Sequence, residues 1–533
     1  MPLIEPHHQY MQYCKNSKKT FYIHWHDLRI EMMPKILFFL EIGSPHFGIA
    51  KYIKENLDCQ IYAIINANKA KSFFLEQNLV EFTNQWFLRD NITNTSSNSD
   101  LEYLEKFEEK YQIRLWNVVF SDVIFREYNS YHTFNRDEIV SVVKQICEFY
   151  ENVLDQINPD FLIIRPTDAL ADQLLQMICK VRGIRVLTQG FTRLGYRTMI
   201  TTDLDIFEPY MLENSDNIQF TQEELLAFTR GYTKQQDVFR KKFRSSLLNW
   251  LKTGIEYLRL ISRQEYKRYY AHSGRTVLRV ICIEISAKFK KIIRERFLNK
   301  NSVKTLPDEK FVYFSLGLEP ERTILIPAPF YSNQLEVIKN IARSLPIEYQ
   351  LYVKEHPMQK VWGWRKIAYY KEILDLPNVQ LIHPSITNEE ITRKSSLVIA
   401  VIGTPTFEAM IYDKPSIVFG KVIHSSLPSV FTVKNIEELP TIIRKALETK
   451  VEMKDVNKFV NTIVKNSFDY EESVLHVQIN DRLFYGGYLF DRDISVEEIK
   501  EFLDEHKEIL DVLGTKHLEK IRFYENQKNK YFK

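Results

Sequence analysis

The chain has 533 residues, beyond the roughly 250–300 at which a single core stops growing, so two or more packed units are expected. Its 44% hydrophobic and 26% charged content sets aside disordered, collagen-like and coiled-coil classes, and the net charge is only +3. Five scattered cysteines (Cys14, Cys59, Cys147, Cys179, Cys282) without a CxxC pair argue against a disulfide framework and for a reducing, cytoplasmic compartment.

Met1 to Glu31 holds five aromatic residues and four histidines and has no small-residue cleavage site, so it is not a signal peptide. This extension (1–31) fits no element, and Met32 or Met33 directly before the first strand makes an upstream-extended start one explanation for it. The best candidate for a span, Ile36 to Leu40, is strand-sized and ends at Glu41, far short of the roughly 18–20 residues that cross a bilayer.

From Lys35 the order is strand (Lys35 to Leu40), a turn with Gly43, Ser44, Pro45 and Gly48, helix (Ile49 to Leu57), strand (Ile61 to Ile65). A second unit runs from the strand Phe161 to Ile164 through a helix from about Ala169 to Val181 to the strand Ile184 to Leu187, with Gly183 breaking the helix. Such alternation predicts a parallel sheet with right-handed crossovers and ligands beyond the carboxyl ends of its strands, here an N-terminal Rossmann-like acceptor lobe over 32–205. Thr93 to Asp100, rich in Asn, Ser and Thr, reads as a surface loop.

Residues 206–305 form a basic helical connecting segment. Between Lys234 and Lys304 stand 19 Lys and Arg against 5 Asp and Glu, so the charge is strongly segregated. Phe239, Phe243, Leu247, Trp250, Leu251, Ile255 and Leu258 recur at helical spacing, and Ile281, Ile285, Phe289 and Ile292 outline a second amphipathic helix. Two roles are open for the first stripe: peripheral attachment to an anionic inner-membrane surface, or packing between the lobes with the charges solvated. From Phe311 the alternation returns, with strands Phe311 to Phe314, Gln350 to Lys354, Val379 to Ile382, Leu397 to Ile402 and Ser416 to Phe419, which predicts a C-terminal Rossmann-like lobe over 306–450. The remainder, 451–533, reads as a charged helical region, especially Val496 to Val512.

Candidate chemistry gathers at strand ends of the second lobe. Lys354-Glu355-His356-Pro357 stands where a strand stops, and an imidazole there is suited to stabilise charge developing on a departing phosphate; capping the strand is its alternative role. Gly403-Thr404-Pro405-Thr406 opens a helix and presents free backbone N–H groups, an anion site in which the threonines either contact phosphate or cap the helix. Glu408 in the first turn suits ribose hydroxyls or merely complements the helix dipole. Glu319-Pro320-Glu321-Arg322 is a third strand-end loop, with Arg322 offering a planar fork to phosphate or carboxylate unless the loop is simply solvated.

The run Leu318-Glu319-Pro320-Glu321, Val353-Lys354-Glu355-His356-Pro357, Ile402-Gly403-Thr404-Pro405-Thr406-Phe407-Glu408-Ala409 and Lys414-Pro415 to Phe419-Gly420 resembles the capsule polysaccharide biosynthesis family in order and spacing. The resemblance covers Phe311 to Gly420 well and Ile36 to Asp205 weakly, through Ile184 to Thr202. It implies the two-lobed GT-B fold of retaining Kdo transferases and bacterial sialyltransferases, metal-independent transfer, and a CMP-activated acidic sugar as donor. By that resemblance Glu319, Glu321, Arg322, Lys354, Pro357, Gly403, Thr404, Thr406 and Glu408 bind the donor and His356 is catalytic. No cofactor is implied; the nucleotide sugar is a substrate, and a glycan or lipid-linked glycan is the acceptor.

One departure matters: where some members read Glu-Asp-Gly-Phe, this chain reads Thr188-Gln189-Gly190-Phe191, so a catalytic base must come from elsewhere. Asp168, just past the strand at Phe161, is the best-placed carboxylate of the first lobe, with a helix N-cap as its alternative role. Asp203-Leu204-Asp205 matches the DxD metal pattern, but so does Asp491-Arg492-Asp493, and no metal is assigned. GxGxxG, Walker A, HExxH and GxSxG are absent. Sugar-nucleotide 2-epimerases and teichoic-acid-type polyol-phosphate transferases share the histidine-proline and phosphate-helix pattern and stand as alternatives. Nucleic-acid binding by the basic segment is a third, set aside because no recognisable nucleic-acid module accompanies it.

Overall fold

Lys35–Leu40 (β1) and Gln60–Ile65 (β2) are apolar almost throughout and buried on both faces, the pattern of parallel strands covered by helices on each side. The computed structural model describes residues 33–531 except 43–44, 68–69, 94–100, 126–128, 168, 213–217, 231–246, 263–267, 320, 360–364 and 485–491. The extension 1–31, Gly43, Asp168, Phe239, Phe243, Pro320 and Asp491 therefore lie outside the described residues.

Helix α1 (His46–Asn56) links β1 to β2, which continues to the short edge strand Asn84–Phe87 (β3). On its other side β1 pairs with Phe161–Ile163 (β4), Leu37 standing opposite both Tyr62 and Leu162. Helix α2 (Leu170–Val181) then leads to Arg185–Phe191 (β5), after Gly183 takes φ 74, a left-handed conformation that favours glycine. β5 runs beyond the expected Leu187 because it turns back on Arg197–Thr201 (β6), with Gln189 opposite Ile200. β3 and β6 escaped the sequence reading, since NQWF and RTMIT carry too few apolar residues to stand out.

The connecting segment holds helix α3 (Leu247–Ser262) and helix α4 (Val277–Asn301). The second sheet follows: Phe311–Ser315 (β7), Gln350–Lys354 (β8), Val379–Ile382 (β9), Leu397–Ala400 (β10), helix α5 (Thr404–Ile411), Ser416–Val418 (β11) and Val430–Thr432 (β12). All its pairings are parallel, in the order β12-β11-β10-β7-β8-β9.

The expected C-terminal helical region, 451–533, does not stand apart. The helix Met453–Asn466 packs Val456, Phe459, Val460 and Ile463 into the second lobe's core. The chain then crosses to the first lobe, where Phe468–Asp469 (β13) pairs antiparallel with β6 and completes the order β13-β6-β5-β4-β1-β2-β3. Arg197 pins this crossover by donating to Ser467 Oγ, Ser467 O and Val464 O, each at 2.8 Å. Helix α6 (Lys507–Tyr531) lies on α1, with Leu510, Leu513 and Ile521 in the first lobe's core and Lys520 paired to Glu208 at 2.7 Å. The fold is thus two Rossmann-like lobes joined by a basic helical segment and closed by a C-terminal helix, the GT-B type of architecture. Among the described residues no helix is long and apolar enough to cross a membrane.

Candidate functional site

In each sheet the chain changes direction at one place: β1 stands between β2 and β4, and β7 between β8 and β10. Loops leaving the carboxyl ends of such neighbouring strands run to opposite sides and leave a crevice, where open α/β sheets bind ligands. In the second lobe this brings the loop after β7 (Gly317 to Arg322) beside the start of α5 (Gly403, Thr404), with His356 at the end of the adjacent β8.

The Gly317 to Arg322 loop is held by residues far away in sequence. Buried Gln334 accepts from Gly317 N–H at 2.7 Å and donates to the Glu319 carboxylate, while Gln359 exchanges hydrogen bonds with the Glu319 backbone at 2.9 and 2.7 Å. Arg365, 5% exposed, lies between two carboxylates, Glu355 and Glu319 (3.2 Å to the latter), and donates to Gly317 O at 2.6 Å. Burial opposes its charge, but Glu355 and Glu319 outweigh it and hold the guanidinium pKa well above its usual value. Glu355 also accepts from Tyr370 and from His356 N–H. Glu319 therefore anchors its own loop. Glu321 accepts from Thr323 Oγ1 at 2.6 Å.

His356 begins a turn in which Pro357 takes the second position and Gln359 N–H donates back to His356 O at 3.0 Å. Its Nδ1 accepts from Met358 N–H at 3.2 Å, so in the neutral ring the proton sits on Nε2. Lys354 is 4% exposed, its amine donating to Ile386 O (2.6 Å) and Asn388 Oδ1 (2.7 Å).

At α5 no side chain caps the helix; Pro405 has no N–H and Thr406 N–H donates to Gly403 O at 3.3 Å, so of the first three residues it is Thr404 whose N–H is left for another partner. Gly403 has φ 172, extended backbone that any residue adopts. Thr406 has a different task from the one expected: fully buried, its hydroxyl donates to Gly403 O (2.7 Å) and meets His424 Nε2 (2.9 Å), so it braces the helix start instead of facing a ligand. Burial, aided by the charge of Arg193, lowers the His424 imidazole to about 3, so it is neutral. Burial raises the Glu408 carboxyl to about 7, against the opposing pull of Lys354 and Arg193. Arg193 belongs to the β5–β6 hairpin of the first lobe, at φ 60, and its charge is felt at both second-lobe groups.

The lobes also meet through Arg322, whose Nε donates to Thr167 O in the loop after β4. The carboxyl-end crevices of both sheets thus face one another. In the first lobe Arg165 pairs with Glu41 (2.7 Å) and Asp172 (3.3 Å). His46 opens α1 beside them, 1% exposed; burial lowers its pKa to about 3, with His517 and Arg165 adding to the shift and the Ile164 backbone opposing it. The start of α2 is served by Asp122, which accepts from Leu170 N–H at 2.7 Å, and by Asp172, which accepts from Ala169 N–H at 3.0 Å. In the DxD pattern Asp203 Oδ1 accepts from Asp205 N–H at 2.9 Å, and burial raises the Asp205 carboxyl. Among the described residues no group of three or more His, Cys, Asp and Glu gathers as a metal site.

Sequence reasoning missed Gln334, Arg365, Arg193, His424 and His46. Nothing periodic marks them, because their partners lie tens to hundreds of residues away; only the polar residues inside otherwise apolar stretches, as at His424 and His46, hinted at them.

Residues 223–427 match the model of a family described as capsule polysaccharide biosynthesis protein. No curated protein sequence matches the chain. Among solved structures the chain is similar to UDP-GlcNAc 2-epimerase from Methanocaldococcus jannaschii, at 14% identity and a TM-score of 0.23, with 81% of this chain and 100% of that one covered. It is also similar to KpsC of Thermosulfurimonas dismutans, a beta Kdo 2,7 transferase, at 12% identity and a TM-score of 0.31, with 74% and 98% covered. Superpositions this loose say nothing about chemistry. The family match, by contrast, spans the loops at Glu319, His356 and Gly403 described above, so over residues 223–427 the chain is similar to the capsule polysaccharide biosynthesis family.

Proposed function

We propose that this protein is a glycosyltransferase that moves a sugar from a nucleotide-activated donor, a CMP-linked acidic sugar by class, to a capsule or surface polysaccharide acceptor. The observation that carries the reading is the meeting of the two sheet crevices, where Arg322 of the nucleotide-binding lobe reaches Thr167 of the acceptor lobe. A donor seated in one crevice and an acceptor in the other bring their reacting atoms together at that line, which converts much of the barrier into binding.

In this reading the N–H of Thr404 takes the donor phosphate, supported by the positive end of α5. The Nε2–H of His356 donates to the phosphate oxygen on which charge develops as the glycosidic bond to the nucleotide breaks. Glu408, whose pKa near 7 lets it donate or accept at neutral pH, holds the ribose hydroxyls. Arg193 adds positive charge from the acceptor side. Asp168, next to Thr167 in the chain, takes the proton of the attacking hydroxyl. The transfer needs no cofactor and no metal in this scheme.

Incubation with CMP- and UDP-activated sugars, with and without glycan acceptors, tests the proposal. Product that forms only when an acceptor is present supports it. A changed nucleotide sugar without acceptor identifies an epimerase instead, and polymer built from an activated polyol phosphate identifies the teichoic-acid type of reaction.

A further inference from the structure

We propose that the outer face of α4 docks the protein onto an anionic lipid bilayer. α4 spans 25 residues and buries only one side, through Val280, Arg294 and Leu298. Along the other run Leu278 (76% exposed), Ile281, Ile285, Phe289 (64% exposed), Ile292 and Ile293. At 100° per residue these six side chains fill an arc of about 120° centred opposite the buried face. The helix therefore has two apolar faces, of which the fold covers one. Isolated exposed apolar residues are ordinary, but a continuous stripe of aliphatic and aromatic side chains over four turns marks a surface that meets something else.

Charge decides what that is. α4 carries Arg279, Lys288, Lys290, Lys291, Arg294, Arg296 and Lys300 against Glu284 and Glu295, within a segment of 19 basic and 5 acidic residues from Lys234 to Lys304. A second copy laid against the stripe would bring two strongly cationic helices together without acidic partners, and Arg296 projects from the same arc, where a helix–helix seam needs an apolar side chain. An anionic bilayer answers both features: the stripe enters the headgroup boundary while the flanking lysines and arginines stay among the phosphates. The stripe runs about 22 Å, at 1.5 Å per residue from Leu278 to Ile293, and no described helix crosses a membrane, so α4 lies along the surface. The stripe expected to serve attachment begins at Phe239, outside the described residues, and α4 is the second helix of the same segment. The docking does not depend on the glycosyltransferase reading.

Cys282 provides the probe, because it is exposed on the stripe side of α4 while Cys59, Cys147 and Cys179 are buried. The full-length chain carrying Cys14→Ser is labelled at Cys282 with an environment-sensitive fluorophore and mixed with vesicles of phosphatidylcholine alone or with phosphatidylglycerol. We expect blue-shifted emission and co-flotation with the anionic vesicles, reversal by high salt, and partition about tenfold or more weaker in the Ile285→Glu/Phe289→Glu variant at unchanged thermal midpoint. Equal binding to neutral vesicles, no binding, or undiminished binding of the double variant overturns the proposal. So does a blue shift that rises with protein concentration alone and tracks a doubled mass in light scattering, which would assign the face to a second copy.

Discussion

Acidification from pH 8 to pH 5 should destabilise this fold through three buried histidines. Burial lowers His46 and His424 to about 3 and His517 to about 4, from an ordinary value of 6.5. Each binds a proton more readily unfolded than folded, so its contribution to stability is complete above pH 6.5 and is lost progressively as pH falls toward the folded value. At pH 5, 1.5 units below the unfolded pKa, each loses about 2 kcal/mol at 1.36 kcal/mol per unit, or about 6 kcal/mol for the three, comparable to the whole stability of a domain. Glu408 acts in the opposite sense: its raised carboxyl, at about 7, favours the folded state as pH falls from 7 toward 4.5. That offsets about 2–3 kcal/mol at most, less because its surface is partly wet. The decisive measurement is the urea midpoint and slope at pH 8 and pH 5 for the wild type and for His46→Met. Since burial is the main cause of the lowered His46 pKa and methionine cannot take up a proton, the substitution should reduce the pH 8 to pH 5 loss by about 2 kcal/mol. If the variant loses as much stability on acidification as the wild type, the reasoning about His46 is refuted.

Replacing His356 with alanine should cut sugar transfer by about 100- to 1000-fold in turnover while leaving the thermal midpoint unchanged, and a variant with wild-type turnover would remove His356 from the mechanism. Arg365→Leu leaves Glu355 and Glu319 without their cation and should cost about 3–5 kcal/mol by denaturant unfolding, a loss that a merely superficial ion pair would not show. Gly514→Val places a Cβ about where the Tyr52 ring stands, 2.4 Å from its nearest atoms, so it should lower stability by about 1–3 kcal/mol or more and loosen α6 from α1; native hydrogen-exchange protection in α1 would contradict that.

Much of the architecture was legible in the chain. Strands such as KILFFL and LYVK read plainly because parallel strands buried on both faces must be apolar along their whole length, and helices between them read from their 3.6-residue stripes. Strand-end loops at Glu319, His356 and Gly403 followed from where those runs stop. Periodicity did not show β3, β6, β12 and β13, which are short and partly polar, nor the return of the chain's end to the first lobe.

The amino-acid sequence by itself determined the local elements, their alternation, the segregation of basic charge and the chemical types gathered at the strand ends. Tertiary structure decided the rest: that Glu319 and Glu355 are tied up by Arg365, that Thr406 braces a helix with His424, that Arg193 acts on the opposite lobe, and that α4 bears an uncovered apolar face. The physical reason is range. Backbone propensity and apolar spacing act over a few residues and repeat, so they leave a pattern, whereas an ion pair, a buried proton or an interlobe contact joins groups that the chain brings together once.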